Sequence, residues 1–378
     1  MPAEQVLELL DLLDARGIDV WVDGGWGVDA LAGRQTREHG DLDLGVVRPH
    51  LDTAIEVLGA TGYAVTDARF VEVTVQLTHA EGHRVDLHPS TPMPGGGTEQ
   101  TDFDGNTFHI PPPEIGRIAG REVRCLPLSA QFHTHQGYDL RPQDHHDLAL
   151  LNQVVWERAS EKHVREYDEL LAEARGDGLL ERREVELLGP VLATGPVVVH
   201  FQSGHGLDDV GLVKAGARLV VGVDYSSVAV GAAQRRAVEL GVSCRYAVAE
   251  VPGVPVRDGC ADLVYTGKGA LIWMRDIAAW ARDVARVLRP GGHLFVYEAH
   301  PAVPLWTWDE DEPRIRPDRS YFAESHVNDT FPGNGAREWQ WNLGQIVTAI
   351  TTAGLHLQVL EEYAEPFWRP QDGTTAAA

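Results

Sequence analysis

The chain has 378 residues, 43% of them hydrophobic, which is more than one compact core usually holds and predicts two domains. It contains 32 Lys and Arg residues and 56 Asp and Glu residues, which gives a formal net charge of −24. This charge argues against nucleic-acid or anionic-membrane partners and suits cationic small molecules. With three scattered cysteines, no CxxC pair, no membrane-length apolar run and no secretory leader, we expect a cytoplasmic protein without disulfides or zinc fingers.

The N-terminal part of the sequence predicts a mixed α/β domain with a helical tail. Apolar residues at helical spacing predict a helix over about residues 4–16, and IDVWV predicts a strand that runs toward Gly24 and Gly25. The next segments predict, in chain order, a helix at WGVDALAG, a strand at DLDLGVV, a helix over about 51–60, strands at GYAVT, VEVTVQLTH and HRVDLHP, and helices from Leu128 to Val155. We therefore place the first domain at residues 1–152 and the second at residues 153–378.

The order of the predicted elements in the C-terminal part is typical of a doubly wound parallel sheet. The charged segment WERASEKHVREYDELL comes first and predicts a helix over residues 156–173. From PVVVHF onward, apolar strands alternate with glycine-containing loops and helical segments. We expect the core of this Rossmann-like α/β domain at about residues 195–370.

Two aspartates alternate with leucines in HGDLDLGV. Side chains two residues apart in a strand point to the same side, so Asp41 and Asp43 face one way while Leu42 and Leu44 face the core. A divalent cation removes the repulsion between two such carboxylates, and magnesium prefers oxygen ligands. We therefore predict that Asp41 and Asp43 bind Mg²⁺.

Three further residues complete this predicted catalytic group. Gly24 and Gly25 lie between a strand and a helix, where glycines let a phosphate approach backbone N–H groups. A third carboxylate, Asp86, lies in the alternating segment RVDLHP, where it suits a general base or a further metal ligand. Such a set fits nucleotidyl transfer, because metal ions neutralise the triphosphate and activate an attacking hydroxyl. Since the first 152 residues contain no lysine, side-chain contacts to phosphate there must come from arginine or a metal.

These motifs resemble a known family. VDGGWGVDALAGRQTREHGDLDL followed by HRVDLHP, and later HTHQGYDLRPQDHHDLALL, are similar to the lincosamide and aminoglycoside nucleotidyltransferases of the polymerase-β-like superfamily over about residues 3–151. The resemblance implies Mg²⁺-dependent transfer, with ATP as the expected donor, to a hydroxyl of an antibiotic-like compound, and hence antibiotic resistance. It implies these roles: a metal at Asp41 and Asp43, a catalytic triad completed by Asp86, and triphosphate contacts from Gly24, Gly25 and Arg37.

Histidines and aspartates cluster near the end of this domain. The spacing of the histidines fits no regular ligand set, so we expect them on exposed helix faces: His133, His135, His145 and His146. Asp144 and Asp147 are candidates for shaping a pocket for a cationic acceptor.

The second domain has a glycine loop followed by an acid. Gly204 and Asp224 are 20 residues apart, the interval expected between a Rossmann glycine loop and the acid that binds ribose hydroxyls. The loop GHGLDD lacks the third glycine that close approach to a dinucleotide pyrophosphate requires. S-adenosylmethionine, which has no phosphates, needs only a glycine turn and the ribose acid. Glu250, after the third strand, is placed to meet the adenine amine.

This half resembles the class I S-adenosylmethionine-dependent methyltransferases over about residues 156–370. The resemblance rests on SGHGLD, TGKGALIW and PGGHLFVYEAHP, with residues 156–173 as a lid helix and His200 near the place of the usual acid. It implies these cofactor contacts: Gly204, His205, Gly206, Asp224, Tyr225, Glu250 and Thr266. Glu298 and His300 are candidate bases, although methyl transfer from a sulfonium needs mainly alignment.

Three functions fit this sequence. The first is a bifunctional transferase that modifies small molecules by nucleotidyl and methyl transfer. The second is an active methyltransferase whose N-terminal domain only binds substrate, and the third gives that domain a role in regulating a partner.

Overall fold

The computed structural model describes residues 1–136, 138–307, 314–333 and 335–364. The described residues form two compact units, namely Met1–Val155 with Asn328–Ala336, and Trp156–Val327 with those from Arg337 to residue 364. Every helix within the described residues is too short or too polar to span a lipid bilayer.

The first unit is built around a mixed sheet. Its helices are α1 (Ala3–Asp14), α2 (Gly24–Ala32), α3 (Leu51–Ala60), α4 (Leu128–Thr134) and the first part of α5 (Pro142–Arg165). Its strands are β1 (Val20–Asp23), β2 (Asp41–Val47), β3 (Tyr63–Asp67), β4 (Val75–His79), β5 (Arg84–Pro92), β6 (Thr98–Thr101), β7 (Thr107–Ile110), β8 (Glu114–Ile118) and β9 (Arg121–Cys125).

The strand order is β3-β4-β5-β2-β1-β9-β8, and the β6–β7 hairpin is attached to β5. Leu42, Leu44 and Leu87 point to one face, where they join a core that includes apolar residues of α1 and α3. On the other face, Trp21 lies over Gly45 and packs with apolar residues of β7 and α4. That second, smaller core leaves the end of the sheet where β2 begins free for polar side chains.

The structure differs locally from the predicted elements of this unit. The strand expected at VEVTVQLTH begins only at Val75, because the backbone N–H groups of Val73 and Thr74 bond to the carbonyl of Phe70 in a turn. The helical region expected from residue 128 is two helices, and the short strands β6 to β9 were not predicted.

The second unit contains a parallel five-stranded sheet. Its helices are α6 (Tyr167–Arg175), α7 (Arg182–Leu192), α8 (Leu207–Lys214), α9 (Ser227–Leu240), α10 (Ile277–Val287) and α11 (Leu343–Thr352). Its strands are β10 (Val197–Phe201), β11 (Leu219–Asp224), β12 (Cys244–Val248), β13 (Ala261–Gly267) and β14 (Leu288–Tyr297), with a separate small hairpin of β15 (Ser325–Val327) and β16 (Arg337–Trp339).

The parallel strands follow the order β12-β11-β10-β13-β14, so the order reverses between β10 and β13. Fully buried Phe201, Val264 and Trp280 belong to the core beside this sheet. The mixed sheet of the first unit and this Rossmann-like sheet confirm the predicted fold class. The helix predicted over 156–173 is divided at Glu166 between α5 and α6, and the end of the predicted core, residues 365–370, lies outside the described residues.

Candidate active sites

Three carboxylates lie side by side at one end of the first sheet. The pairing of β1 with β2 sets Asp23 opposite Asp43, and the pairing of β2 with β5 sets Asp43 opposite Asp86. Asp41 lies two residues earlier on β2, opposite Arg84. The sheet therefore brings the three predicted acids to one edge and adds Asp23, which the sequence interpretation did not include.

Two cationic side chains of β5 contact these acids. Arg84 donates to Asp41, and its Nε lies 3.5 Å from Asp86 Oδ2. His88 Nε2 lies 3.1 Å from Asp43 Oδ1. Burial alone would lower the pKa of His88, but the hydrogen bond to Asp43 and the nearby negative charges raise it to about 9. Neither Arg84 nor His88 was predicted as part of the site from the sequence, although their spacing around Asp86 puts all three on one face of a strand.

Asp86 is buried, with 7% of its surface exposed. Burial raises the pKa of Asp86 to about 6, the charge of Asp43 adds to the rise, and Arg84 opposes it. Gln76 Nε2 lies 3.5 Å from one carboxylate oxygen, while the other, Oδ1, has no hydrogen-bond partner within the described residues. A buried, unpaired carboxylate oxygen suits a group that takes up a proton or meets a cation.

The donor chemistry at this edge fits magnesium. Among the residues that the structure describes, no three His, Cys, Asp or Glu side chains converge as ligands of one metal ion. Magnesium, however, usually takes one or two protein carboxylates and fills its other positions with water and phosphate oxygens. Asp41 and Asp43 supply that number, and the unpaired oxygen of Asp86 is on the neighbouring strand.

The two glycines bring α2 against the carboxylate edge. A Cβ on Gly24 would lie 2.2 Å from Asp43 Oδ2, and one on Gly25 would lie 2.3 Å from Arg37 Nη2. Asp23 caps the helix by accepting the Gly24 N–H at 2.6 Å. Asp43 and Arg37 thus lie beside the first turn of a helix, whose free N–H groups bind anions.

Asp144 and Asp147 hold arginines. Asp147 accepts two hydrogen bonds from Arg37, at 3.1 and 2.7 Å, and Asp144 accepts from the backbone and guanidinium of Arg141 at 2.8–2.9 Å. Both acids are buried. Their carboxylates are therefore engaged with arginines, and their role in shaping a pocket for a cationic acceptor stays a prediction.

The histidines near these acids have mixed surroundings. His133 is exposed, as expected, but His135 is buried and its Nδ1 lies 2.7 Å from the Gln131 carbonyl oxygen. His146 Nε2 lies 3.0 Å from Thr36 Oγ1. At least His135 and His146 therefore have structural contacts rather than free faces.

In the second unit, the glycine loop and the predicted ribose acid meet at one edge of the sheet. Asp224 accepts the Gly204 N–H at 3.0 Å and the Ser226 N–H at 2.9 Å. Gly204 and Gly206 have φ angles of +51° and +78°, in the left-handed region that favours glycine. Burial raises the pKa of Asp224 despite the two N–H bonds.

A crevice is expected where the strand order reverses, outside the carboxyl ends of β10 and β13. Three buried polar atoms of the loop after β10 have no hydrogen-bond partner in the described part of the chain: Gln202 Oε1, Ser203 Oγ and His205 Nδ1. A ligand with several polar groups, such as a nucleoside, fits these unpaired atoms, and nothing in the loop provides for a pyrophosphate.

His205 also contacts a helix before the sheet. Its ring lies 4.2 Å, centroid to centroid, from that of His163 in α5. Its carbonyl accepts from the fully buried Arg236 of α9. Burial lowers the pKa of His205 to about 3 and that of His163 to about 4, with Arg236 adding to both shifts. The two imidazoles are therefore neutral at ordinary pH.

The remaining predicted cofactor residues lie at different depths. Tyr225 is half-buried, and burial together with the Asp224 charge raises its pKa. Glu250 is exposed after β12. Thr266 is fully buried and its hydroxyl donates to the Phe201 carbonyl at 3.0 Å, so it joins β13 to β10.

The two candidate bases after β14 have other roles in the structure. Glu298 accepts three backbone N–H groups, from Gly269, Ala270 and Leu271, at 2.6–2.7 Å. His300 Nδ1 accepts the Ala302 N–H at 3.0 Å. Glu298 therefore shapes the loop after β13, and a carboxylate so occupied is poorly suited to remove a proton.

Family models match part of each unit. The model of the family described as aminoglycoside-2''-adenylyltransferase matches residues 5–151, and that of a methyltransferase domain matches residues 198–292. The lincosamide resistance protein of Staphylococcus haemolyticus is 30% identical over 154 residues, which cover 40% of this chain and 95% of that protein. The demethylmenaquinone methyltransferase of Corynebacterium kroppenstedtii is 34% identical over 114 residues, which cover 30% of this chain and 46% of that protein.

A crystal structure of a lincosamide antibiotic adenylyltransferase with lincomycin bound is 30% identical, with a TM-score of 0.37, and covers 40% of this chain and 96% of that one. The two family models and the relative from Staphylococcus haemolyticus show that the chain is a transferase that carries a nucleotidyltransferase domain and a methyltransferase domain. Its N-terminal domain belongs to the family of aminoglycoside and lincosamide adenylyltransferases, which confirms the resemblance drawn from the sequence.

Proposed function

We propose that the first domain, residues 1–152, transfers a nucleotidyl group, and specifically the adenylyl group of ATP, to a hydroxyl of a small aminoglycoside- or lincosamide-like compound. The proposal rests on one arrangement: Asp43 and Asp86 lie opposite each other on the paired strands β2 and β5, and Gly24 lies against the Asp43 carboxylate. The family description and the relative from Staphylococcus haemolyticus support the acceptor class. The charge of −24 favours cationic acceptors.

In the proposed reaction the acceptor oxygen bonds to the α-phosphorus while the bond from that phosphorus to pyrophosphate breaks. Asp86 accepts the proton of the hydroxyl, since it is a carboxylate with a raised pKa and an unpaired oxygen. Asp41 and Asp43 would hold Mg²⁺, which supplies neutralisation of the triphosphate charge. Gly24 and Gly25 let phosphate oxygens approach the first turn of α2, and Arg37 adds a positive charge beside it. The Gly24 N–H is bonded to Asp23, so the proposed donors are the N–H groups that follow it in this turn.

We propose that the second domain, residues 153–378, binds S-adenosylmethionine and methylates a small molecule. When bound, S-adenosylmethionine would supply the methyl group to the acceptor nucleophile and would leave as a neutral thioether. Asp224 would accept from the ribose hydroxyls, and the loop of Gly204, His205 and Gly206 would hold the nucleoside. Tyr225, Glu250 and Thr266 complete the proposed surroundings of the cofactor. The polar atoms without partners in the glycine loop support this assignment.

We place both reactions in the cytoplasm, where ATP and S-adenosylmethionine are available. Cys125, Cys244 and Cys260 are free thiols, which suits a reducing compartment.

The test is incubation of the whole protein with each nucleoside triphosphate, Mg²⁺ and a panel of aminoglycosides and lincosamides, followed by mass spectrometry. A parallel reaction contains S-adenosylmethionine instead of the nucleotide. We expect a mass increase of one adenylyl group on one acceptor class. Binding of these compounds without transfer would instead make the first domain a substrate-binding module.

A further inference from the structure

A small cavity lies beside α2 in the first unit. It has a volume of about 120 Å³ and is lined by residues of three elements, among them Ala3 of α1, Trp26 and Asp29 of α2, and Ile118 of β8. Trp26 and Asp29 are three residues apart and share one face of their helix. The residues proposed to bind Mg²⁺ or the triphosphate, all of which the structure describes, do not line this cavity. It therefore lies outside the proposed nucleotidyl-transfer site.

One wall of the cavity carries a hydrogen-bond donor without a partner. Trp26 is 2% exposed, and its Nε1 has no acceptor within the described residues. Asp29, by contrast, accepts from the Thr36 N–H at 3.2 Å and from the Thr36 hydroxyl at 2.6 Å, and its Oδ2 lies 2.6 Å from His39 Nε2. The acid is satisfied, whereas a buried indole N–H needs an acceptor.

Two arginines also line the cavity. Arg34, which follows α2, donates to Gln153 Oε1 at 3.1 Å, and Arg117 of β8 lies 2.9 Å from Glu122 Oε1. The Arg117 and Glu122 side chains are 59% and 65% exposed, so water weakens this ion pair. A guanidinium has five N–H donors, and each arginine therefore keeps donors for a further acceptor. Two guanidinium groups and one engaged carboxylate favour an anion here, although the chain as a whole is acidic.

The remaining wall is apolar. Ala3 and Ile118 are buried, and Ala119 lines the cavity with a φ of +48°, in the left-handed region. Ala119 and Gly120 form the two-residue turn of the β8–β9 hairpin, because Ile118 pairs with Arg121. Such turns favour Asn-Gly or Asp-Gly. Alanine at this position gives the cavity a methyl group in place of a polar side chain.

We propose that this cavity binds a short aliphatic monocarboxylate. The ligand carboxylate accepts from the indole N–H of Trp26 and from the guanidinium groups of Arg34 and Arg117, since guanidinium–carboxylate hydrogen bonds are charge-assisted. Its alkyl part packs against Ala3 and Ile118. A cavity of about 150 Å³ accommodates benzene, so a slightly smaller one suits a ligand of about five non-hydrogen atoms, the size of propionate.

The indole N–H resonances of the ¹⁵N-labelled full chain test this inference. The chain has 10 tryptophans, and the indole resonance that is absent from the spectrum of Trp26→Phe belongs to Trp26. We expect titration with propionate to move this resonance until it saturates, because the N–H gains an acceptor. Acetate binds about threefold more weakly, since it lacks one methylene group. Propan-1-ol, which has no charge, and inorganic phosphate, which has no alkyl part, bind at least about tenfold more weakly.

Three variants locate the binding site. Arg34→Gln and Arg117→Gln each weaken propionate about threefold, because each removes one partly exposed charge. Ala3→Leu keeps Trp26 and both arginines but places a larger side chain in the cavity, and it abolishes the movement of the indole resonance. If Trp26→Phe does not fold, the resonance that propionate moves in the wild type and not in Ala3→Leu identifies the site.

The matched control is Arg124→Gln, because Arg124 is an exposed arginine of the neighbouring strand β9 that pairs with Asp19. It leaves the affinity for propionate unchanged. An indole resonance that stays in place throughout the titration would overturn the inference, as would equal weakening in Arg124→Gln. Binding of propan-1-ol or phosphate as tight as that of propionate would also overturn it, because the cavity would then select only an apolar group or only a charge.

Discussion

Asp147 and Arg37 are joined by two hydrogen bonds although they lie 110 residues apart in the sequence. The carboxylate is buried in α5, while the guanidinium is 28% exposed and lies against Gly25 at the start of α2. The pair fixes the position of a positive charge at the proposed triphosphate site.

We expect Asp147→Asn to raise the KM for ATP about tenfold, because Arg37 loses a charge-assisted partner and its fixed position. Steady-state kinetics of nucleotidyl transfer provide the measurement. Asp144→Asn, one turn earlier on the same helix, is the matched control, since Asp144 holds Arg141 instead. An unchanged KM for ATP in Asp147→Asn would contradict the proposed contact between Arg37 and the triphosphate.

The metal pair is tested by Asp41→Asn and Asp43→Asn. Each variant removes one carboxylate charge, so we expect it to lose nucleotidyl transfer while methyl transfer stays largely intact. Mass spectrometry of the two products measures both activities. Asp67→Asn is the control, because Asp67 bonds to Arg69 near the end of β3. Near-normal nucleotidyl transfer in either site variant contradicts the metal assignment.

Asp86→Asn separates the chemical step from binding. Asparagine cannot accept the hydroxyl proton, so we expect turnover to fall by several orders of magnitude while Mg²⁺-nucleotide affinity changes little. Weaker nucleotide binding with preserved turnover would make Asp86 a binding residue.

Asp224→Ala tests the proposed ribose acid in the second domain. The change removes two hydrogen bonds to ribose hydroxyls, so affinity for S-adenosylhomocysteine should fall at least about tenfold by calorimetry of the full chain. Asp258→Ala, at an exposed ion pair with Arg286, is the control. Equal affinities of the wild-type chain and Asp224→Ala would exclude the ribose role, and tight NAD binding would exclude the methyltransferase cofactor.

The pH dependence of stability has a specific source in His163. Burial lowers its pKa from 6.5 to about 4. Between these values the unfolded chain binds a proton that the folded chain does not, so this residue makes the free energy of unfolding fall as the pH drops from about 6.5 toward 4. We expect His163→Gln to reduce the loss of thermal midpoint between about pH 7 and about pH 5. If the thermal midpoint of His163→Gln fell as much as that of the wild type over this pH range, this account would be contradicted. The same holds if His356→Gln, at an exposed histidine, reduced the fall as much as His163→Gln does.

The sequence predicted the parts of the first site that depend on local spacing. The alternation around Asp41 and Asp43 and the strand–glycine–helix order at Gly24 define backbone geometry over a few residues, and the structure has both. Which cation faces which acid depends on strand register, so the contacts of Arg84 and His88 were not apparent. The contact of Asp147 depends on where a distant helix packs, which no local pattern encodes.

The same distinction explains the fold predictions. In the second domain, apolar strand segments alternate regularly with glycine-containing loops and helical segments, and this pattern predicted the parallel sheet. The short strands β6 to β9 have turns every few residues and mixed exposure, so alternation was too brief to detect. Glu166 divides two helices without a proline or glycine, and the continuous helical pattern around it gave no signal.

The path of the chain between the two units has a practical consequence. The chain leaves the first unit after Val155, returns to it for Asn328–Ala336, and is again part of the second unit from Arg337. A gene split at one position therefore cannot encode two whole units, because the N-terminal half lacks the returning segment and the C-terminal half carries it without its neighbours. An activity measured on either fragment alone is therefore the activity of an incomplete unit. Mixing the two fragments and measuring whether activity returns is the better way to assign each activity.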